Sequence, residues 1–328
     1  MRKSLSVAVF GGLLAVSALA GCGGSDSGGE NGGGDDGKIV LGFSQVGAES
    51  GWRTANTESI KASAAAAGIE LKFSDAQGKQ ENQISDIRGF ITQKVDVIAF
   101  SPVVTSGWDA VLKEAKDAGI PVILTDRAVD STDTSLYESF IGSDFKVEGE
   151  KAGDWLVKEY EGKTGEVAIV ELQGTTGSAP AIDRQTGFAE KIKANPNLKI
   201  VKTQTGDFKR ADGKTVMETF LQSVPKIDVL YAHNDDMGLG AIEAIKAAGK
   251  KPGQDIKIIT VDAVKDGMTA LAAGEINFIV ECSPLLGDQL METVKKVKDK
   301  QPVEKRILTK EGTFTQEEAK AALPTRKY

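Results

Sequence analysis

Histidine occurs once in these 328 residues, at position 233, and cysteine only twice, at positions 22 and 282. A nucleophile paired with a histidine base would have to recruit His233, and no Gly-x-Ser-x-Gly elbow stands anywhere in the chain. Two cysteines far apart build neither a disulfide framework nor a multi-cysteine metal site. Basic runs are missing as well: 40 basic residues meet 47 acidic ones, which argues against nucleic acid as a partner. Gly162-Lys163-Thr164 has the end of a phosphate loop, but Val157 occupies the place of its leading glycine. Gly238-Leu239-Gly240 runs on to Glu243 and so breaks the dinucleotide fingerprint, and no loop has EF-hand spacing. These gaps leave little room for an enzyme, and no cofactor or metal is expected.

What the chain does have is a repetition. Lys94-Val95-Asp96-Val97-Ile98 and Lys226-Ile227-Asp228-Val229-Leu230 each open an apolar run that ends in polar residues, Ser101-Pro102 in one copy and His233-Asn234-Asp235-Asp236 in the other. Some way on, each copy carries a second apolar strand, 120–125 and 256–261, followed at once by an aspartate, Asp126 or Asp262. Ligands of open parallel sheets sit beyond the carboxyl ends of the strands. Two such sheets with polar tips therefore predict one ligand in a cleft between two lobes.

The ends are read separately. Arg2 and Lys3, the apolar stretch from Leu5 to Ala20 and then Leu19-Ala20-Gly21-Cys22 form a signal peptide over residues 1–22, too short in its apolar core for a membrane span. Its end resembles the lipobox of bacterial lipoproteins, in which Cys22 is acylated. Residues 23–37 read as a flexible glycine-rich tether. The remaining 291 residues, 328 less 37, suit two domains better than one core. Losing the two basic residues of the leader leaves 38 against 47 acids, a net charge of −9.

Periodicity predicts alternating strands and helices throughout, the pattern of an α/β chain with parallel sheets covered by helices on both faces. Strands 39–43, 69–73, 95–100, 121–125 and 137–141 make a first lobe with helices 52–67, 80–93 and 107–118. The second lobe takes helix 145–160 and the alternating elements as far as strand 277–281. The first lobe is one helix short, so the amphipathic segment 284–299 is expected to cross back and pack on it. The expected bounds are 38–143 plus 282–308 for the N-terminal lobe and 144–281 plus 309–328 for the C-terminal lobe. More than one crossing restricts the motion to hinge-like opening and closing.

Carboxylates and guanidinium groups suit the paired donor and acceptor character of sugar hydroxyls. Asp126-Arg127 and Asp262, at equivalent strand ends, supply that chemistry. Trp52 at a helix start and Phe208 after Gly206-Asp207 offer faces for the C–H surface of a sugar. Arg184 stands in the first turns of a helix, where an arginine gains nothing from the dipole, and is better explained if it faces a ligand.

Phe43-Ser44-Gln45, Glu49-Ser50-Gly51-Trp52-Arg53, Asp126-Arg127, Val170 to Gly174, Ile182-Asp183-Arg184, Gly206-Asp207-Phe208 and Tyr231 to Met237 together resemble the galactofuranose-binding members of bacterial ABC sugar transporters, in the ribose- and galactose-binding class of periplasmic binding proteins. The likeness covers residues 39–300 or so. It implies the type I periplasmic binding protein fold, two Rossmann-like lobes joined by three hinge crossings. It also implies ligand contacts at Ser44, Trp52, Arg53, Ser101, Asp126, Arg127, Arg184, Phe208, Asn234, Asp262 and Glu281. The implied function is a monomeric, extracytoplasmic, lipid-anchored binding protein that closes on a monosaccharide, galactofuranose or galactose, and hands it to an ABC permease. The alternative is a sugar or autoinducer receptor that presents its ligand to a membrane sensor.

Overall fold

The computed structural model describes residues 37–328; the leader, Cys22 and all of the tether but its last residue lie outside them. Among the described residues, twelve strands and ten α-helices follow in chain order. The first half runs β1 (Val40–Gln45), α1 (Gly51–Ala67), β2 (Glu70–Asp75), α2 (Gln80–Thr92), β3 (Val97–Phe100), α3 (Asp109–Asp117), β4 (Val122–Thr125) and β5 (Ser139–Gly142). The second runs α4 (Phe145–Glu159), β6 (Val167–Gln173), α5 (Ala179–Ile192), β7 (Leu198–Thr205), α6 (Arg210–Ser223), β8 (Val229–Ala232), α7 (Asp235–Ala247), β9 (Lys257–Asp262), α8 (Lys265–Ala272) and β10 (Phe278–Glu281). The chain closes with α9 (Gly287–Lys298), β11 (Arg306–Leu308), β12 (Thr313–Phe314) and α10 (Gln316–Ala322).

Two six-stranded sheets form, in the orders β11-β5-β4-β3-β1-β2 and β12-β10-β9-β8-β6-β7. The repeat is thus a repeat of topology. All pairings are parallel except that of β12 with β10. The duplicated aspartates do the same work in both halves: Asp96 Oδ2 accepts from the amide of Val40 at 2.7 Å, and Asp228 Oδ2 from that of Ala168 at 2.9 Å. Each tethers the first residues of the central strand to its neighbour.

Side chains of a strand alternate between faces, and each sheet accordingly carries two cores. In the first, Leu41, Phe43, Val97 and Ala99 pack with Ile60 of α1 and Leu290, Met291 and Val294 of α9. Ile98, Phe100, Val122 and Leu124 pack on the other face with Trp108 and Leu112. In the second, Val170, Leu172, Leu230 and Ala232 meet α6 and α7, while Ile169, Val229 and Tyr231 meet α4 and α5. The returning helix α9 therefore covers the first sheet, and the chain passes between the sheets three times, at 143–144, 282–286 and 309–312. Beyond residue 309 the structure adds β12 and α10. A two-residue strand is too short for any period to reveal it.

Glu311 ties the crossings together. One carboxylate oxygen of it accepts from Ser143 Oγ at 2.5 Å, from the Ser283 amide at 2.9 Å and from Thr309 Oγ1 at 2.8 Å.

Candidate ligand-binding site

The carboxyl ends of both sheets face one small cavity. Of the side chains expected there, Trp52, Arg53, Asp126, Arg127, Arg184, Phe208, Asn234 and Asp262 line it. Three do not. Ser44 Oγ donates to Asp86 Oδ2 at 2.6 Å, and Ser101 Oγ stands behind the wall, donating to Asp126 Oδ2 at 3.0 Å. Glu281 lies on the face of β10 that it shares with Ile279, turned toward the C-terminal segment. There it accepts from the Gly312 amide at 3.0 Å, from Arg326 Nη1 at 2.7 Å and from the Tyr328 hydroxyl at 3.2 Å. Sequence reasoning missed Glu49, Ser50, Phe145, Pro180 and Cys282, all of which line the cavity.

On the first lobe, helix α1 starts at its cap Ser50, whose side chain accepts from the Arg53 amide, and its first turn delivers Trp52 and Arg53. Arg53 is 2% exposed and fully engaged: Nη2 meets Asp126 Oδ2 at 2.6 Å, Nε meets Glu49 Oε1 at 3.0 Å, and Nη1 reaches Asn56 Oδ1 at 3.5 Å. Burial works against its charge, yet Asp126 and Glu49 together hold its proton above the usual range. Arg127, 3% exposed, fares differently. Its Nη1 donates to the Val103 carbonyl at 3.2 Å, its Nη2 only approaches Glu49 at 3.5 Å, and its Nε has no hydrogen-bond partner. Burial, and after it the charge of Arg53, lowers the proton affinity of Arg127. Glu49 is pushed up by burial and pulled further down by Arg53 and Arg127, so its carboxyl ends below the usual range, with Oε2 unpartnered.

On the second lobe, Arg184 lies under 4% exposed between Glu148 Oε2, at 2.7 Å from Nε, and the His233 carbonyl, at 2.6 Å from Nη1. Asp262 Oδ1 is 3.8 Å from its Nη2. Close helix packing makes this possible: a Cβ on Gly149 of α4 would stand 2.2 Å from the Arg184 carbonyl oxygen of α5. Burial pushes Asp262 well up. His233 is buried against Glu171, 3.1 Å away, and burial lowers its pKa; it supports the site from behind through its carbonyl.

Aromatic rings complete the walls. Arg127 stacks 5.3 Å from the Phe208 ring centre and Arg184 5.1 Å from that of Phe145. The Trp52 ring packs among second-lobe residues, and its indole N–H donates to the Cys282 carbonyl at 2.7 Å, so it bridges lobe and hinge. The Asn234 amide is spoken for: Oδ1 caps α7 at Met237, and Nδ2 donates to the Phe208 carbonyl at 3.0 Å. Asp126, Phe208 and Asp262 have φ of 59°, 62° and 119°, a backbone that non-glycine residues adopt at a cost and that clusters where ligands are held.

Glu148 gives the site a pH signature. Burial, with Glu311 adding to it and Arg184 opposing, lifts its pKa from 4.5 to about 8. The folded chain then keeps a proton that the unfolded chain releases, so its contribution to stability is whole below pH 4.5 and is lost by about pH 8. Glu148→Gln is expected to flatten the fall in melting temperature across that window; a parallel, unflattened profile would show that Glu148 does not titrate there.

Comparison with known proteins agrees with this geometry. Residues 41–302 match the family described as periplasmic binding protein domain. The galactofuranose-binding protein YtfQ of Escherichia coli (strain K12) is 50% identical over 293 residues, 88% of this chain and 92% of its own length. A crystal structure from Mycobacterium smegmatis in complex with beta-D-fucofuranose superposes with a TM-score of 0.87 at 66% identity, covering 88% of this chain and 95% of that one. The binding component of the arabinose ABC transporter of Shewanella sp. ANA-3, bound to alpha- and beta-L-arabinofuranose, superposes with a TM-score of 0.84 at 49% identity, over 88% and 96% of the two chains. With a match that runs through both sheets, this chain belongs to the periplasmic binding protein family, and so to the space outside the cytoplasm.

Proposed function

We propose that the chain encloses one monosaccharide in furanose form, galactofuranose or a close relative, and delivers it to an ABC permease in the closed state. The chain binds its ligand and makes or breaks no bond in it. The observation that carries the reading is a pair of deeply buried polar atoms in the cavity wall, Arg127 Nε and Glu49 Oε2, that no group of the protein hydrogen-bonds; the nearest charge to Arg127 Nε is Asp126 Oδ2 at 3.8 Å. Leaving such groups unpaired costs about 1–3 kcal/mol each, and a hydroxyl, donor and acceptor at once, can satisfy both. Furanose ligands in the relatives from E. coli, M. smegmatis and Shewanella support the ring size.

The binding residues are Glu49, Asp126, Arg127, Arg184 and Asp262 for hydroxyls, with Phe208 and Phe145 against the ring. Arg53 holds Asp126 and Glu49 in place. Micromolar affinity corresponds to about −8.2 kcal/mol. A few charge-assisted bonds of roughly 1.5–3 kcal/mol each reach it after the ordering cost. The lobes are 38–143 with 282–308 and 144–281 with 309–328, and the mature chain is a monomer anchored through lipid on Cys22. Titration calorimetry against galactose, fucose and arabinose tests the reading: saturable binding of at least one is expected, and no heat with any of them would overturn it.

A further inference from the structure

At the mouth of the cleft, outside the cavity lining, the Gly51 amide donates to Asp236 Oδ2 at 2.7 Å. The two residues belong to different lobes. Gly51 is the first residue of α1 and Asp236 stands in the first turn of α7. The first amides of a helix have no acceptor within it. Ser50 already serves the Arg53 amide, and Asp236 supplies an acceptor for that of Gly51 from across the cleft. A carboxylate at that end also meets the positive pole of a 17-residue helix.

Asp236 is held for this position. It is 6% exposed, and its Oδ1 accepts from Arg210 Nε at 3.1 Å, while Arg210 Nη2 is fixed in turn by Asp266 Oδ2 at 3.0 Å. The turn it grips is the one that carries Trp52 and Arg53, and Asp236 itself follows Asn234, the residue that holds Phe208. One carboxylate thus sets two cavity walls of opposite lobes against each other without lining the cavity.

We propose that Asp236 is a closure latch, a positioning residue that raises sugar affinity by favouring the closed state. The proposal rests on the binding reading above. The contact exists only when the lobes are together, so its free energy enters the apparent affinity through the open-to-closed equilibrium. Among the described residues a second hydrogen bond joins the lobes at the rim, from the Thr105 amide to the Gly177 carbonyl at 2.9 Å, and it is made by backbone. It survives side-chain substitution, so latch variants still close, but less often.

The test compares the wild type with Asp236→Ala and Asp236→Asn by stopped-flow tryptophan fluorescence with the sugar bound in calorimetry, by ligand-free melting temperature, and by small-angle X-ray scattering. Asp236→Ala is expected to bind about tenfold more weakly, mostly through faster release, with Asp236→Asn between. Its ligand-free melting temperature stays at the wild-type value, because the open form lacks the contact, and its radius of gyration is no smaller than wild type. Affinity within twofold of wild type would overturn the latch. So would a loss of affinity matched by a loss of melting temperature, which would make Asp236 a support of the second lobe. Should the wild type bind none of the sugars, the binding reading fails and takes the latch with it, whereas a wild type that binds alongside an Asp236→Ala variant that binds equally well overturns the latch alone.

Discussion

Arg127→Ala is expected to weaken sugar binding by about two orders of magnitude, roughly 3 kcal/mol, while the ligand-free chain melts at the wild-type temperature or above it. Both halves of this result come from the same geometry. Arg127 is buried, repelled by Arg53 and held only loosely by Glu49 at 3.5 Å and Asp126 at 3.8 Å, with no hydrogen bond to Nε. In the empty protein it is a cost, so its loss does not weaken the fold; Glu49 retains Arg53 at 3.0 Å. With the sugar in place it is a donor that nothing replaces. Calorimetry and differential scanning calorimetry on one preparation separate the two effects. Affinity within fivefold of wild type would remove Arg127 from the site.

Gly174→Ala is expected to close the cavity from inside. A Cβ there would lie 1.9 Å from Phe208 Cζ and 2.3 Å from both Cε atoms, whereas carbon atoms settle about 3.5–4.0 Å apart. The ring must give way. Its backbone is held at φ 62° and by the Asn234 Nδ2 bond to its carbonyl, so only the side chain is free to move. Phe208 lines a small cavity, and a ring displaced into it would fill the space proposed for the sugar. Binding should fall at least a hundredfold, with a stability cost of about 1–3 kcal/mol from overpacking. The double variant Gly174→Ala with Phe208→Ala should bind no worse than Phe208→Ala alone, since the clash vanishes with the ring. Additive losses in the double variant would mean that Gly174 acts by some other route.

Much of the fold was legible because the chain states it twice. The paired Lys-x-Asp segments announce two equivalent sheets, and the two aspartates at the carboxyl end of the fourth strand of each sheet do meet at one cavity, both at positive φ. The missing helix of the first lobe was found by counting, and α9 fills that place. Where the reading failed, the signal was absent from local pattern. Glu281 and Cys282 are neighbours, and only the pleat decides which of them faces the cavity. Ser101 is at the right strand end, but its hydroxyl is behind the wall, spent on Asp126. Glu49 stands in the Glu49-to-Arg53 motif, yet its partner Arg127 is 78 positions away. Phe145 is an ordinary helix start in the sequence, and only the fold stacks Arg184 on it.

A crystal structure of the mature chain grown with galactose decides how the sugar is held. A five-membered sugar ring is expected between Phe208 and Phe145, with hydroxyls within hydrogen-bond distance of Arg127 Nε and Glu49 Oε2. A six-membered ring in that place would contradict the ring form, and sugar density away from Arg127 and Glu49 would contradict the account of how the chain binds.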